Sequence, residues 1–368
     1  MIKKLYVFSN CGHLKELPKS GGQTSARRVM DGLRNAGLEI VPIRRHRTEL
    51  EGKVLHRLEV GWFAVYDLSK IVARTMLGSR RNSAFMMLSY SGSLVPYELV
   101  ISIVMKLMGY RSLLYMKGGM VIDYYAHGGK VHKWMFKKIA DLQTKMFFEG
   151  MDSLRIVENV SKTPCVYFPN YIFDNMIPCH LDSRPTDKIN MLYFGRIAPD
   201  KNVHVVVDSF NILADKYKNI TLTIIGGKGF YQAYVDKVDD MIRTSPYADR
   251  ITRMGNTPFT EIMEMMRKQH LFIFPSKAKC EGHSNALNEA MSQGLVPVVS
   301  DYHFNRTIVG DEKFVVKSFD AKDYADRIEQ LMQEDLQALS IQCWNRIKEK
   351  YTYAVVNDRI VNEIRFID

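Results

Sequence analysis

Residues 280–300 read CEGHSNALNEAMSQGLVPVVS. Leu287, Ala290, Met291 and Gly294 fall at helical spacing and mark one buried face. The run LVPVVS that follows is short, apolar and bounded by Gly294 and Asp301, which reads as a buried strand. Ser284 and Asn285 are both good N-caps, so the helix starts at one or the other. Two glutamates, Glu281 and Glu289, stand eight residues apart across that helix start. A helix leading directly into a buried strand is half of an α/β unit.

Working outward, the same alternation recurs. INMLYF (189–194), ITLTII (220–225), RITRM (250–254), LFIF (271–274) and FVVK (314–317) are further strands. Between the first two, Val203, Val206, Val207, Phe210 and Leu213 repeat at i, i+3, i+4, i+7 and i+10, one face of a helix. The first half begins with KLYVF, a helix SARRVMDGLRNAG and LEIVPI, and later offers SAFMMLSY and SLLYM. Strands alternating with helices build a parallel sheet covered on both faces. The expected fold class is therefore α/β, with two doubly wound, Rossmann-like domains. Residues 1–170 form the first, 171–188 a linker within a stretch holding three prolines (169–188), and 189–351 the second; a terminal helix, 352–368, packs back on the first. Such sheets bind ligands beyond the carboxyl ends of their strands, so the expected site is a cleft between two domains facing each other.

At 368 residues, 46% hydrophobic and 25% charged, the chain has the make-up of a globular protein of two domains. Five scattered cysteines without C-x-x-C spacing argue against a disulfide framework or a zinc site and for a reducing compartment. The apolar run at the N-terminus ends at Phe8, too short for a signal-peptide core, and the longest apolar stretch, ELVISIVMKLMGY, is broken by Lys106. The net charge of +11 is unevenly placed: residues 1–170 hold 26 Lys and Arg against 13 Asp and Glu, and residues 171–368 hold 25 against 27. The first half therefore faces an anionic partner, or carries a solvated basic surface with none.

The helix beginning near Ser284 offers free N–H groups and a positive dipole end, which suit a phosphate. Gly282 permits close approach of a ligand. Glu281 lies just before the helix mouth and Glu289 one turn below Asn285 on the same side. Carboxylates repel phosphate, so they suit the hydroxyl-bearing parts on either side of a diphosphate; alternatively Glu289 merely favours the helix N-terminus. In GRIAPDKN, Gly195, Arg196 and Lys201 follow a strand, where two cations converge on a diphosphate. Gly226 and Gly227 close the next strand. Gly21 and Gly22 precede a helix starting at Thr24 or Ser25, a signal that also fits a plain turn.

Together FGRIAPDKN (194–202), LTIIGGKG (222–229), LFIFPSKAKCEGHSNALNEAMSQGLVPVVSD (271–301) and YADRIEQLM (324–332) resemble the retaining glycosyltransferases of family 4, which have the GT-B fold, and in particular those that build bacterial envelope and capsular polysaccharides. The resemblance covers nearly the whole chain. It implies a UDP- or GDP-linked sugar as donor, with Arg196 and Lys201 on the diphosphate, Glu281 on donor-sugar hydroxyls and Glu289 on the ribose. Amides near Ser284, Asn285 and Ala286 add phosphate contacts, and Gly22 closes over the diphosphate. Many family members carry a histidine after the strand that is SLLYM here; this chain has Lys117 in that place, with Asp123 and His127 as nearby candidates, His127 fitting a surface histidine equally well. No D-x-D triplet occurs, so no metal clamp is expected, and with a nucleotide sugar as substrate no cofactor is expected either. The leaving diphosphate is stabilised instead by cations and a helix N-terminus.

Lys130, Lys133, Lys137, Lys138 and Lys145 are expected on one side of a helix whose other side carries Val131, Met135, Ile139, Leu142 and Met146. Such a helix either lies on an anionic bilayer or buries its apolar stripe in an ordinary core. Arg27-Arg28, Arg44-Arg45-His46-Arg47 and Arg80-Arg81 add to the basic surface. The expected partners are a nucleotide-sugar donor, a glycan or lipid-linked acceptor and an anionic membrane surface, with the protein cytoplasmic and peripheral at the inner face. The alternatives are a GT-B sugar-nucleotide epimerase or hydrolase and a nucleic-acid-binding protein. The last leaves the donor motif unexplained and shows no recognisable nucleic-acid module.

Overall fold

The computed structural model describes residues 1–16, 21–46, 53–89, 94–181, 184–185, 187–227, 231–279 and 281–367. Arg47, the Lys228-Gly229 end of LTIIGGKG and Cys280 lie outside them. The chain divides into two compact units: Met1–Asn170 with Cys280–Gly282 and Val356–Asp368, and Tyr171–Lys279 with His283–Val355.

Unit 1 is built on a six-stranded parallel sheet of order β2-β1-β3-β4-β5-β6, with β1 Lys4–Ser9, β2 Glu39–Arg44, β3 Ser83–Ser89, β4 Arg111–Met116, β5 Lys145–Phe148 and β6 Cys165–Tyr167. Its helices are α1 Gly21–Asn35, α2 Lys53–Met76, α3 Val95–Leu107, α4 Met120–His127, α5 Lys130–Leu142 and α6 Met151–Glu158. The strands are apolar almost throughout because helices must cover both faces; β3 is buried at all seven positions. The chain runs from β1 outward to β2 and then returns past β1 to β3, so the strand order reverses between β1 and β3.

Several expectations for this unit change. Helix α1 begins at Gly21, ahead of Thr24 and Ser25, and inside it the Ser25 hydroxyl donates to Asn170 Oδ1 at 3.0 Å. The long helix α2 has no counterpart among the sequence expectations. Lys145 does not continue the lysine face of α5: it opens β5 and pairs with Glu363 at 2.6 Å. Of the apolar stripe read for α5, Ile139 is buried, Val131 is 70% exposed and Met146 belongs to β5; the helix also buries Phe136 and Ala140. The apolar run ELVISIVMKLMGY lies largely in α3, and among the described residues no helix is long and apolar enough to cross a membrane.

Unit 2 repeats the architecture with order β12-β11-β10-β7-β8-β9: β7 Ile189–Phe194, β8 Ile220–Ile225, β9 Ile251–Met254, β10 Leu271–Phe274, β11 Val296–Ser300 and β12 Val315–Val316. Its helices are α7 Val203–Lys216, α8 Gln232–Arg243, α9 Phe259–Met266, α10 Asn285–Ser292, α11 Asn305–Val309, α12 Ala321–Met332 and α13 Leu336–Lys350. Helix α14, Tyr353–Arg365, starts in unit 2 and counts with unit 1 from Val356. There the Ile2 N–H donates to the Arg365 carbonyl at 2.9 Å. All five apolar positions read for α7 are buried. In α10 Leu287, Ala290 and Met291 face the core as expected, but Gly294 lies beyond the helix, at φ +78°. Within the expected linker, Tyr171 and Ile172 are buried in unit 2, and Ile172 bridges Thr352. Both units are the Rossmann-like α/β sheets expected from the strand–helix alternation.

Candidate functional site

In unit 2 the strand order reverses between β7 and β10, and loops following both strands converge there. The loop after β7 is held rigidly. Tyr193 is buried and donates its hydroxyl to the Arg196 carbonyl at 2.8 Å, and the Gly195 N–H donates to Ile225 at 3.0 Å. Gly195 sits at φ +146°, a conformation that an L side chain rarely adopts. Gly226, at the end of β8, approaches so closely that a β-carbon on it would overlap the Gly195 carbonyl oxygen. Both glycines therefore shape the loop that presents Arg196.

Arg196 is 53% exposed at its side chain, its guanidinium 3.7 Å from Asp200. Lys201 differs: it is buried at the end of a 3-10 turn, its ammonium 3.4 Å from Ser276 Oγ and 5.2 Å from the centre of the Phe274 ring. Asn202, left-handed at φ 50°, donates its side-chain amide to the Pro275 carbonyl at 3.0 Å, and the Lys277 N–H donates to Asp200 at 2.8 Å. The two loops are thereby stapled across the switch point, with two cations on one of them.

The N-terminus of α10 follows β10 on the same edge of the sheet. Ser284 is its N-cap, accepting from the Leu287 N–H at 3.3 Å, and Asn285 and Ala286 form the first two positions of the helix. Glu289 is buried one turn further along. His283, also buried, packs edge-to-face on Tyr351 at 4.9 Å. Nearby in the first turn of α7, His204 Nδ1 lies 2.8 Å from the Tyr234 hydroxyl, and burial lowers its pKa below the usual histidine value.

Within unit 1 lie the remaining candidates. Glu281 and Gly282 group here, Gly282 lying against Gly118 and Glu149. Gly21 and Gly22 open α1. Lys117, a candidate for the place near the chemistry, is 2% exposed and enclosed. Its ammonium pairs with Glu149 and donates to Ser25 Oγ (2.6 Å) and Asn170 Oδ1 (3.1 Å), while burial lowers its pKa against the opposing pull of Glu149. The other Glu149 oxygen accepts from the Gly118 N–H at 2.8 Å. Asp123 is partly exposed on α4, 3.4 Å from His127, which is a surface histidine at 79% side-chain exposure.

Sequence reasoning missed Glu149, although a charge directly after the apolar run KMFF was a usable signal. It also missed two pairs at the carboxyl edge of unit 1. His46 Nδ1 lies 2.5 Å from the buried Asp67, its ring stacked on Phe63 at 5.0 Å. Arg45 lies 3.6 Å from Glu98, whose pKa is raised by burial and which accepts from Ser89 Oγ at 2.7 Å. Among the described residues no cluster of His, Cys, Asp and Glu suits a metal ion.

Residues 182–349 match the model of the family described as Glycosyl transferases group 1. A stretch of 146 residues, 39% of this chain, is 27% identical to the capsular polysaccharide biosynthesis glycosyltransferase CapM of Staphylococcus aureus, and the match spans 36% of that relative's length. Among solved structures, sucrose-phosphate synthase from Thermosynechococcus elongatus superposes with a TM-score of 0.77 at 14% identity, covering 99% of this chain and 98% of that one. HepE of Anabaena, solved with UDP and glucose, gives 0.70 at 13% identity, with 99% of each chain covered. At these identities the structural likeness concerns the fold alone, two Rossmann-like α/β units.

Proposed function

We propose that this protein is a GT-B glycosyltransferase of family 4 type, moving a sugar from a UDP- or GDP-linked donor to a glycan or lipid-linked glycan in bacterial surface polysaccharide synthesis. One observation carries the donor assignment: Arg196 and Lys201 stand on a stapled loop at the switch point of unit 2, on the same sheet edge as the N-terminus of α10. Two cations beside a helix N-terminus suit a diphosphate, and charge-assisted bonds of this kind contribute about 1.5–3 kcal/mol each. The family match over 182–349 and the CapM relative support the same reading.

On this reading Glu289 holds the ribose, Glu281 the donor-sugar hydroxyls, and the amides of Asn285 and Ala286 the phosphates. As the bond from sugar to diphosphate breaks, negative charge grows on the leaving oxygen, and Arg196 and Lys201 neutralise it. These groups supply the charge that a metal would otherwise bring, so the reaction proceeds without one. Transfer is with retention. Lys117 positions rather than touches substrate, since Glu149, Ser25 and Asn170 occupy its ammonium. Asp123 stands as the candidate on the acceptor side. The basic surface of unit 1 holds the protein peripherally at the cytoplasmic face of the membrane.

The test is a donor screen with UDP-, GDP- and ADP-sugars, following thermal stabilisation and product formation with and without EDTA. A ligand bound only by the native state raises its stability as RT ln(1 + [L]/Kd). Stabilisation by one nucleoside diphosphate and EDTA-resistant transfer are expected. No stabilisation by any of them sinks the donor assignment, and full loss in EDTA restored by Mg²⁺ sinks metal independence.

A further inference from the structure

Helices α2, α3 and α5 rest on one face of the unit 1 sheet. Ile71 of α2, Ile101 and Met105 of α3, and Phe136 and Ile139 of α5 share a core cluster with Phe8, Phe85 and Met116 of the strands. A helix bedded in this way ordinarily turns a polar face outward. These three do not. On α3, Pro96, Val100, Ile103 and Leu107 fall at i, i+4, i+7 and i+11, a single stripe, and all are exposed, Leu107 by 82%. Helix α2 exposes Trp62, Val65, Tyr66 and Met76, and α5 exposes Val131 and Trp134. Two of the protein's three tryptophans thus point away from the core on this layer. Ten of the 20 large apolar side chains exposed among the described residues belong to these helices, so the exposure is concentrated and not the scatter expected of an ordinary surface.

The charges on the same helices are one-sided. Among the described residues, their exposed ionic side chains are Arg74, Lys106, Lys130, Lys137 and Lys138 against one carboxylate, Asp141, which Lys137 already pairs at 2.8 Å. We infer that this face of unit 1 beds into the headgroup region of an anionic bilayer, with Trp62 and Trp134 as its interfacial anchors. Tryptophan settles where one side of its ring meets acyl chains and the other meets water. The stripe of α3 supplies apolar area to insert, and the surrounding cations sit over acidic headgroups. A second copy of this chain fits the face poorly, because it would bring five cations against five. The inference deepens the peripheral-membrane part of the proposed function and stands without the donor assignment. Its distinguishing consequence is that attachment is not purely electrostatic, so salt releases only part of it.

The experiment is flotation of the full chain with phosphatidylcholine vesicles containing or lacking phosphatidylglycerol, at low and high salt. Tryptophan quenching by brominated acyl chains is read alongside. Binding to the anionic vesicles is expected to persist in part at high salt, with tryptophan fluorescence quenched. Trp62→Ser with Trp134→Ser, and separately Leu107→Ser, should each lower partitioning on the order of tenfold. These side chains are exposed, so the variants should keep the wild-type Tm and its shift with the nucleoside diphosphate that stabilises the wild type. Unquenched tryptophan, wild-type partitioning by the variants, or wild-type self-association abolished by the same substitutions each overturns the proposal. If no nucleoside diphosphate shifts the Tm while quenching and partitioning behave as expected, the donor assignment falls and the docking face stands.

Discussion

Lys117 Nζ donates to Ser25 Oγ at 2.6 Å across 92 residues of sequence, tying the carboxyl end of β4 to the start of α1. The same ammonium pairs with Glu149, so a buried charge is met by a buried charge. Removing either partner leaves the other uncompensated. Lys117→Met and Glu149→Gln are each expected to cost about 3–5 kcal/mol, and the double variant less than their sum. Urea unfolding of the three variants measures this; strict additivity would show that the two charges do not depend on each other.

Gly226→Ala places a methyl group against the Gly195 carbonyl. The loop carrying Arg196 must shift, at a cost of about 1–3 kcal/mol in stability. The larger effect is expected in calorimetry, as a loss of nucleoside diphosphate affinity. Unchanged affinity would mean that this loop does not hold the phosphates.

Arg196 and Lys201 act on one ligand. Each alanine variant is expected to weaken nucleoside diphosphate binding by about 2 kcal/mol, with the double variant non-additive through the shared diphosphate. The corresponding nucleoside without phosphates serves as the control. An equal loss for that nucleoside argues against phosphate recognition.

Glu289→Ala should raise the donor KM more than it lowers kcat, because ribose contacts are the same in ground and transition states. Glu281→Ala should instead abolish transfer while the protein remains folded. Wild-type turnover in the Glu281 variant removes that residue from the site.

His270 provides a pH signature. Its Nδ1 accepts from the Asn190 N–H at 3.0 Å and its Nε2 lies 2.9 Å from the Pro185 carbonyl, an arrangement that requires the neutral ring. Burial lowers its pKa below 6.5, as it does for His204. As pH falls below 6.5 the unfolded chain takes up these protons first, so the stability present above that value is lost as pH falls through the folded pKa values. Thermal unfolding between pH 8 and pH 5 should show a falling Tm, and the slope should flatten in His270→Gln. An unchanged slope in that variant would place the sensitivity elsewhere.

Some of this protein was written locally in its chain, and those parts were legible. The five-residue apolar stripe of α7, the cap Ser284 and the position of Arg196 and Lys201 directly after β7 depend on periodicity and on neighbours within a few residues. Local spacing also suffices to see that strands and helices alternate, which fixes a parallel sheet. The tertiary structure decided the rest. Lys117 reads as a reactive group in YMKGGM, yet Ser25, Glu149 and Asn170 reach it from 92, 32 and 53 residues away once the strand order is set, and together they make it a buried tie. Val131 reads as part of one apolar helix face and Leu107 as part of the apolar run ELVISIVMKLMGY. Periodicity identifies a face of a helix but not what lies opposite it, and only the packing of α3 and α5 on the sheet turned these residues outward.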